Sequence, residues 1–170
     1  MVKSALYKHY KSKQDILDSI VQRMSEMDSK NAIEHEMPEG EHQEMPEVYQ
    51  HTQVDSIQSF TEAMFIHWTQ EEFSVLFRKM ITIEQYRNED MSRLYEQYLS
   101  SGPLAYVEDL FAEITGDKEN AKLLAVRYYA PMYMMYSLYD EVKDKDAVNQ
   151  MFTKHTQQFI ADIKQKYRLE

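Results

Sequence analysis

The chain has 170 residues, 43 % of them apolar, no cysteine and a formal charge of −10 at pH 7. A chain of this length buries a sizeable core unaided, and the lack of cysteine excludes disulfides and thiolate chemistry. There is no apolar run long enough for a membrane span and no apolar opening typical of a secretory signal. We therefore expect a cytoplasmic protein that binds no membrane. Few glycines and prolines favour long helices over sheets.

The basic residues are concentrated at the start of the chain. The segment KSALYKHYKSK, residues 3–13, contains four lysines and no acid, so the rest of the chain is more acidic than the whole. An acidic body repels the phosphates of nucleic acid, which leaves this segment as the part able to approach them. The alternative is a lysine-rich end that is only solvated.

Apolar residues at helical spacing predict an all-α protein. Ser4 can cap a short helix that ends at Tyr10, and Ser12 begins a capping box ahead of a helix from about Lys13 to Asp28. Further stripes predict helices over about 54–68, 73–81, 91–99, 107–114, 118–139 and 145–167. The helix over 118–139 is apolar on more than one face, so it needs covering on all sides, and Pro131 interrupts it.

Residues 34–47, EHEMPEGEHQEMPE, contain six glutamates, two prolines and a glycine, which predicts an exposed linker. Glu39 and His42 form a single E-x-x-H pair, whereas a di-iron bundle needs two on facing helices. His67 and Glu71 are four residues apart, but Thr69 and Gln70 indicate that a helix ends there. The sequence therefore predicts no metal and no cofactor. Without a nucleophile motif or a phosphate loop, we also expect no enzyme.

The basic corner, the capping-box helix after it and the all-helical body together resemble the TetR family of transcriptional regulators. The segments FRKMITIEQYRN and SSGPLAYVEDLF are also similar to the bodies of family members. The resemblance implies a partial DNA-binding head over 1–28, a linker over 29–47, and a ligand-binding and dimerisation domain over 48–170. The family's two preceding helices are missing from this sequence, so we expect this chain by itself to bind DNA poorly.

The same resemblance implies how the full-length protein would contact operator DNA. Residues 4–10 match the recognition helix, which lies in the major groove. Tyr7 and Lys13 match positions that contact phosphates. Lys8 and His9 match positions that meet the DNA backbone or base edges. The groove-facing turn begins with Lys3, Ser4 and Ala5. A regulator of this kind is a repressor whose ligand moves the helix that begins at Lys13.

Twelve methionines and thirteen tyrosines make the body suited to a small hydrophobic or aromatic effector, although ordinary core packing explains each residue singly. The expected ligand-binding residues are Met64, Trp68, Phe77, Met80, Tyr106, Leu110, Tyr129 and Tyr133. An inward-turned Glu62, Glu84 or Glu108 would favour a cationic ligand, and an inward-turned Arg127 would favour an acid.

The resemblance also implies a homodimer formed by the last two helices. The residues expected at its interface are Leu124, Tyr128, Met132, Met135, Val148, Phe152, His155 and Phe159. Two symmetric heads suit a palindromic operator. The alternative function is a helical sensor or carrier that binds a small molecule but no DNA.

Overall fold

The computed structural model describes residues 9–37, 49 and 52–169, and the regular structure in that part is α-helical throughout. The helices are α1 (Lys13–Glu34), α2 (Val54–Gln70), α3 (Glu72–Glu84), α4 (Glu89–Leu99), α5 (Ser101–Thr115), α6 (Ala121–Glu141) and α7 (Lys145–Tyr167). The predicted all-α class is confirmed. None of these helices is long and apolar enough to cross a membrane.

Helix α1 starts where the capping box predicts and ends later than predicted. The Ser12 hydroxyl accepts a hydrogen bond from the Asp15 amide at 3.0 Å, which satisfies a free amide at the helix start. The helix then continues to Glu34, six residues past the expected end at Asp28, so residues 29–34 are helical and do not belong to a linker. The reason is burial, because Ala32 packs into the core.

The carboxyl end of α1 is closed by a Schellman motif. The Met37 amide donates to the Ala32 carbonyl at 2.9 Å, and the Glu36 amide donates to the Ile33 carbonyl at 3.2 Å. Glu36 adopts a left-handed conformation, with φ of 53°, and Met37 is buried. A glutamate occupies the position that glycine usually takes, so the stop signal is not visible as a glycine in the sequence.

The core lies between α2, α5, α6 and α7. Phe65 of α2 stacks on Phe152 of α7 with ring centroids 3.9 Å apart, and it also stacks on Tyr136 of α6 with centroids 5.7 Å apart. Phe111 of α5 meets Tyr128 edge-on at 5.4 Å. The aromatic residues predicted to line helical stripes therefore join four helices into one hydrophobic core.

The structure corrects the residues expected at a dimer interface. Seven of them are buried inside the chain, where they join α6 and α7 to the other helices: Leu124, Tyr128, Met132, Met135, Val148, Phe152 and Phe159. The eighth, His155, is partly buried, with Nε2 3.3 Å from the Tyr128 carbonyl oxygen. Residues buried in one chain offer no surface to a second one, so these positions form intrachain packing.

Helix α6 leaves a different apolar face exposed. Leu123 and Met134 are 59 % and 55 % exposed, and Val126 of the same helix is exposed as well. Met151 of α7 is also exposed. The helix begins at Ala121, three residues after the predicted start, and it continues through Pro131 to Glu141. Its apolar surface is therefore divided between the core of its own chain and solvent.

The left-handed residue at the end of α1 generates a stability prediction. We expect Glu36→Gly to raise the free energy of unfolding by about 1 kcal/mol, because glycine adopts this φ without the Cβ clash. The matched variant Glu26→Gly, at an exposed position in the middle of α1, should instead lower it by about 1 kcal/mol. Urea unfolding followed by circular dichroism measures both. A loss of stability in Glu36→Gly would contradict the motif.

Candidate functional site

An aromatic cluster forms where α2, α3 and α4 meet. The Trp68 ring lies 6.2 Å from both the Phe77 ring and the Tyr98 ring, and Phe77 meets Tyr98 edge-on at 5.1 Å. The structure thus brings together Trp68 and Phe77, which the sequence analysis placed in one ligand site. Tyr98 completes the cluster and was not predicted to belong to it.

The other predicted ligand-binding residues are distributed more widely. Met64 and Met80 are partly buried against the core, and Leu110 is buried within it. The Tyr129 hydroxyl donates to the Leu99 carbonyl at 3.0 Å, whereas Tyr106 packs edge-on against Tyr49. The remaining residue, Tyr133, is partly exposed and shares a hydroxyl-to-hydroxyl hydrogen bond with Tyr95. The contacts therefore assign Trp68 and Phe77, and not the whole set, to one cluster.

A polar group lies beside the aromatic cluster, at the junction of α1, α2 and α3. Asp28 Oδ1 is 3.3 Å from His67 Nε2, and the same nitrogen is 3.0 Å from the Ser74 hydroxyl. His67 is 5 % exposed and Ser74 is fully buried. Each helix contributes one member of this group, so the contact holds the three helices together.

The carboxylate of Asp28 is in an unfavourable environment. Its Oδ1 atom is buried, and among the described residues it makes no hydrogen bond of good geometry despite the nearby imidazole. Burial raises the pKa of Asp28, and His67 opposes this shift only in part. Burial, and then the charge of Asp28, raise the pKa of Tyr98 in the aromatic cluster.

Serine, histidine and aspartate together suggest acyl transfer, but their geometry differs from that of a hydrolase triad. In a triad the aspartate and the serine contact different nitrogens of the imidazole, and the serine hydroxyl faces the substrate. Here Asp28 and Ser74 lie nearest the same nitrogen, and Ser74 has no exposed surface. The arrangement gives these residues a positioning role between helices.

Helix α1 has two further contacts with the body. Met24 is completely buried, and the Arg23 guanidinium lies 4.2 Å from the centroid of the Phe73 ring in a cation–π contact. Together with Asp28, these residues place α1 on the same two helices that supply Trp68 and Phe77. A change in the aromatic cluster and a change in the position of α1 therefore involve shared neighbours.

Of the four charged residues considered as indicators of the ligand's charge, Glu62 has the clearest contact with the interior. Arg127 is exposed, and Glu84 forms a surface ion pair with Arg87. Glu62 and Glu108 are partly buried. Glu62 Oε1 accepts from Gln58 and lies 3.4 Å from the hydroxyl of the fully buried Thr156. Asp28 and Arg78 also face the interior, and neither was predicted to do so. Helical spacing could have indicated that both residues face inward, because Asp28 is one turn beyond the buried Met24 and Arg78 is one turn before the buried Ile81.

Most residues expected to contact DNA lie outside the described part of the chain: Lys3, Ser4, Ala5, Tyr7 and Lys8. His9 is exposed in a turn, and Lys13 is the exposed first residue of α1. The Glu39 and His42 pair also lies outside the described part. Within residues 9–37, 49 and 52–169, no three His, Cys, Asp or Glu side chains converge in the way that a metal ion requires.

No protein family, curated protein or solved structure matches this chain. The structure itself defines the class as an all-α protein. Its distinguishing internal features are the aromatic cluster and the adjoining polar group on α1, α2 and α3.

The raised pKa of Asp28 generates a pH prediction. The folded state binds this proton more tightly than the unfolded chain does, so the protonated carboxyl stabilises the fold at low pH. That contribution is lost as the pH rises from the ordinary value of 3.8 through the raised pKa. We therefore expect Asp28→Asn to have a higher free energy of unfolding than the native protein at neutral pH, with a difference that shrinks on acidification.

Urea unfolding at several pH values between about 4 and 7 measures this difference. The control is Asp18→Asn, because Asp18 is an exposed aspartate on the same helix. A difference for Asp28→Asn that stays constant with pH would show that this carboxylate is not penalised by burial.

Proposed function

We propose that this chain is the ligand-binding and dimerising body of a TetR-like transcriptional regulator that acts as a repressor. The observation that carries the proposal is the attachment of α1, which follows the basic segment, to the helices that form the aromatic cluster. The Asp28 to His67 contact is the centre of that attachment, at 3.3 Å. The resemblance in sequence to the TetR family adds the recognition helix and the operator DNA to the proposal.

The proposed effector is a small hydrophobic or aromatic molecule that enters the cluster of Trp68, Phe77 and Tyr98. Met64 and Met80 are partly buried nearby in the core, and methionine side chains adjust their shape at low cost. A ligand between these rings would move α2 against α3 and so disturb the contact between His67 and Asp28. Regulation requires that the ligand bind the two positions of α1 with different affinity, typically by about 1–3 kcal/mol.

The proposed dimer uses the exposed face of α6 and α7, in place of the buried residues named from the sequence. Leu123, Val126 and Met134 lie along one side of α6, and Met151 is an exposed apolar residue of α7, which packs beside α6. An exposed apolar stripe of this kind suits an isologous interface, in which the same surface serves both subunits. Such a dimer would set the distance between two operator-binding heads.

The dimer is tested by sedimentation equilibrium of the native chain and of Met134→Glu. We expect a native dimer and at least a hundredfold weaker association in the variant, because a buried unpaired charge costs several kcal/mol. Ile33→Glu is the matched control, since Ile33 is also an exposed apolar residue but lies on α1. A native monomer at micromolar concentration, or equal association of the two variants, would contradict this interface.

Ligand binding is tested through the fluorescence of Trp68, the only tryptophan. We expect neutral aromatic compounds such as naphthalene to change its emission with saturation, because they enter beside its ring. Phe77→Leu should weaken this binding by about tenfold, given the aromatic pair energy of roughly 0.5–1.5 kcal/mol. The control Phe73→Leu removes a ring of α3 that contacts Arg23 and should leave binding nearly unchanged.

The movement of α1 is tested separately, and the chain suits this because it has no cysteine. A nitroxide attached to Asp18→Cys gives one distance across the dimer, measured by pulsed electron resonance. We expect saturation with naphthalene to shift that distance in the native background and to shift it less in Asp28→Asn. Ligand binding without any shift would favour the small-molecule carrier over the regulator.

A further inference from the structure

A recess opens between α3 and α6, and neither Trp68 nor Phe77 of the aromatic cluster lines it. It has a volume of about 130 Å³, and its apolar walls are formed by Ile83, Leu99 and the rings of Tyr133 and Tyr136. Sites for drug-sized ligands are roughly 300–1,000 Å³. The cleft is therefore suited to a molecule much smaller than that.

Two cations and one anion are grouped in this cleft. Asp140 lies 3.0 Å from Arg78 Nη2 and 3.3 Å from Lys79 Nζ. The cleft thus has a net positive charge, although the chain as a whole is strongly negative. Burial by itself would raise the pKa of Asp140, but hydrogen bonds and charge from Arg78, with Lys79, bring it below its ordinary value, so the group is charged at neutral pH.

Arg78 retains unused hydrogen-bonding capacity in this cleft. Its Nε atom donates to the Trp68 carbonyl at 3.1 Å, and Nη2 donates to Asp140. The Nη1 atom has no partner among the described residues, although the side chain is only 7 % exposed and lines the cleft. A guanidinium edge that lines an open cleft and has no protein partner is a favourable site for an anion, because the anion can accept charge-assisted hydrogen bonds there.

We propose that this cleft binds a small organic monoacid, a carboxylate attached to a short aliphatic group or a single ring. The carboxylate would accept hydrogen bonds from Arg78 and Lys79, and the apolar part would pack against Ile83 and Leu99. A cation would be repelled by the two basic groups. Inorganic phosphate would leave the apolar walls unused. The site is independent of the proposed regulator, since it shares with the expected effector residues only Tyr133.

Isothermal titration with benzoate, benzamide and benzylamine tests the class of ligand on the native chain. These probes have the same ring and differ in charge. We expect benzoate to bind at least about tenfold more tightly than benzamide, because a charge-assisted hydrogen bond is about twice as strong as a neutral one. Benzylamine should not bind in the cleft. Equal affinity for benzoate and benzamide, or no saturation by benzoate at tens of millimolar, would overturn the proposal.

Substitutions at Ser137 locate the binding in this cleft. Ser137 lines it and is exposed, so a larger polar side chain is tolerated there. We expect Ser137→Asp to weaken benzoate binding at least about tenfold relative to Ser137→Asn, which has nearly the same shape but no charge. Equal affinities in this pair would place the benzoate elsewhere and overturn the assignment.

Lys79→Met provides a second and independent variant. The Lys79 side chain is 46 % exposed and is not part of the hydrophobic core, so its replacement leaves the core intact. We expect a several-fold loss of benzoate affinity in Lys79→Met and no loss in Lys122→Met, which removes an exposed lysine of α6 that does not line the cleft. Titration of Trp68 with naphthalene should be unchanged in both variants, which separates this site from the proposed effector site.

Discussion

The structure depends on covering one helix, α6, that is apolar on more than one face. Its buried residues contact α2, α5 and α7 through Tyr128, Tyr136 and their neighbours. Because a helix is a cylinder, these contacts still leave one side uncovered, and this side contains Leu123 and Met134. The hydrophobic core and the exposed apolar face are thus consequences of the same sequence feature, and the helices around α6 determine which residues belong to each.

The second constraint is the cost of buried charge. Arg78 is stabilised in the interior because each of its contacts supplies something different: the Trp68 carbonyl accepts from Nε, Asp140 pairs with Nη2, and the Tyr136 ring lies 5.4 Å from the guanidinium carbon. The Trp68 carbonyl is among the last four of α2, which have no amide partner within the helix. Arg78 therefore serves as a side-chain cap for α2, and its positive charge suits the negative end of that helix.

Local patterns in the sequence predicted the helices well and their partners poorly. The last helix was expected over about 145–167 and is observed as Lys145–Tyr167, because its start is capped by Asp144 and its apolar stripe is regular. The end of α1 was missed because it depends on the burial of Ala32 and Met37, which are contacts with distant residues. The fold class required only periodicity, whereas the helix end required tertiary packing.

The same distinction explains the candidate sites. Trp68 and Phe77 could be paired from the sequence because each lies on the apolar stripe of a predicted helix, and the two helices are consecutive in the chain. The sequence could not predict which side of α6 is buried. Leu123 and Leu124 are adjacent and equally apolar, yet Leu123 is exposed and Leu124 is buried. Asp28 and Arg78 were overlooked because charged residues are generally exposed unless they are paired. Their partners, His67 and Asp140, are far from them in sequence.

Asp28 and Arg78, the two charged residues that were overlooked, contact consecutive residues of α2. His67 and Trp68 are consecutive residues at the end of α2: the side chain of the first contacts Asp28 of α1, and the carbonyl of the second accepts from Arg78 of α3. A displacement of this helix end would therefore alter an acidic contact on one side and a basic contact on the other. Since packed interiors adopt discrete arrangements and deform little, the end of α2 is where the proposed effector binding would be coupled to the position of α1.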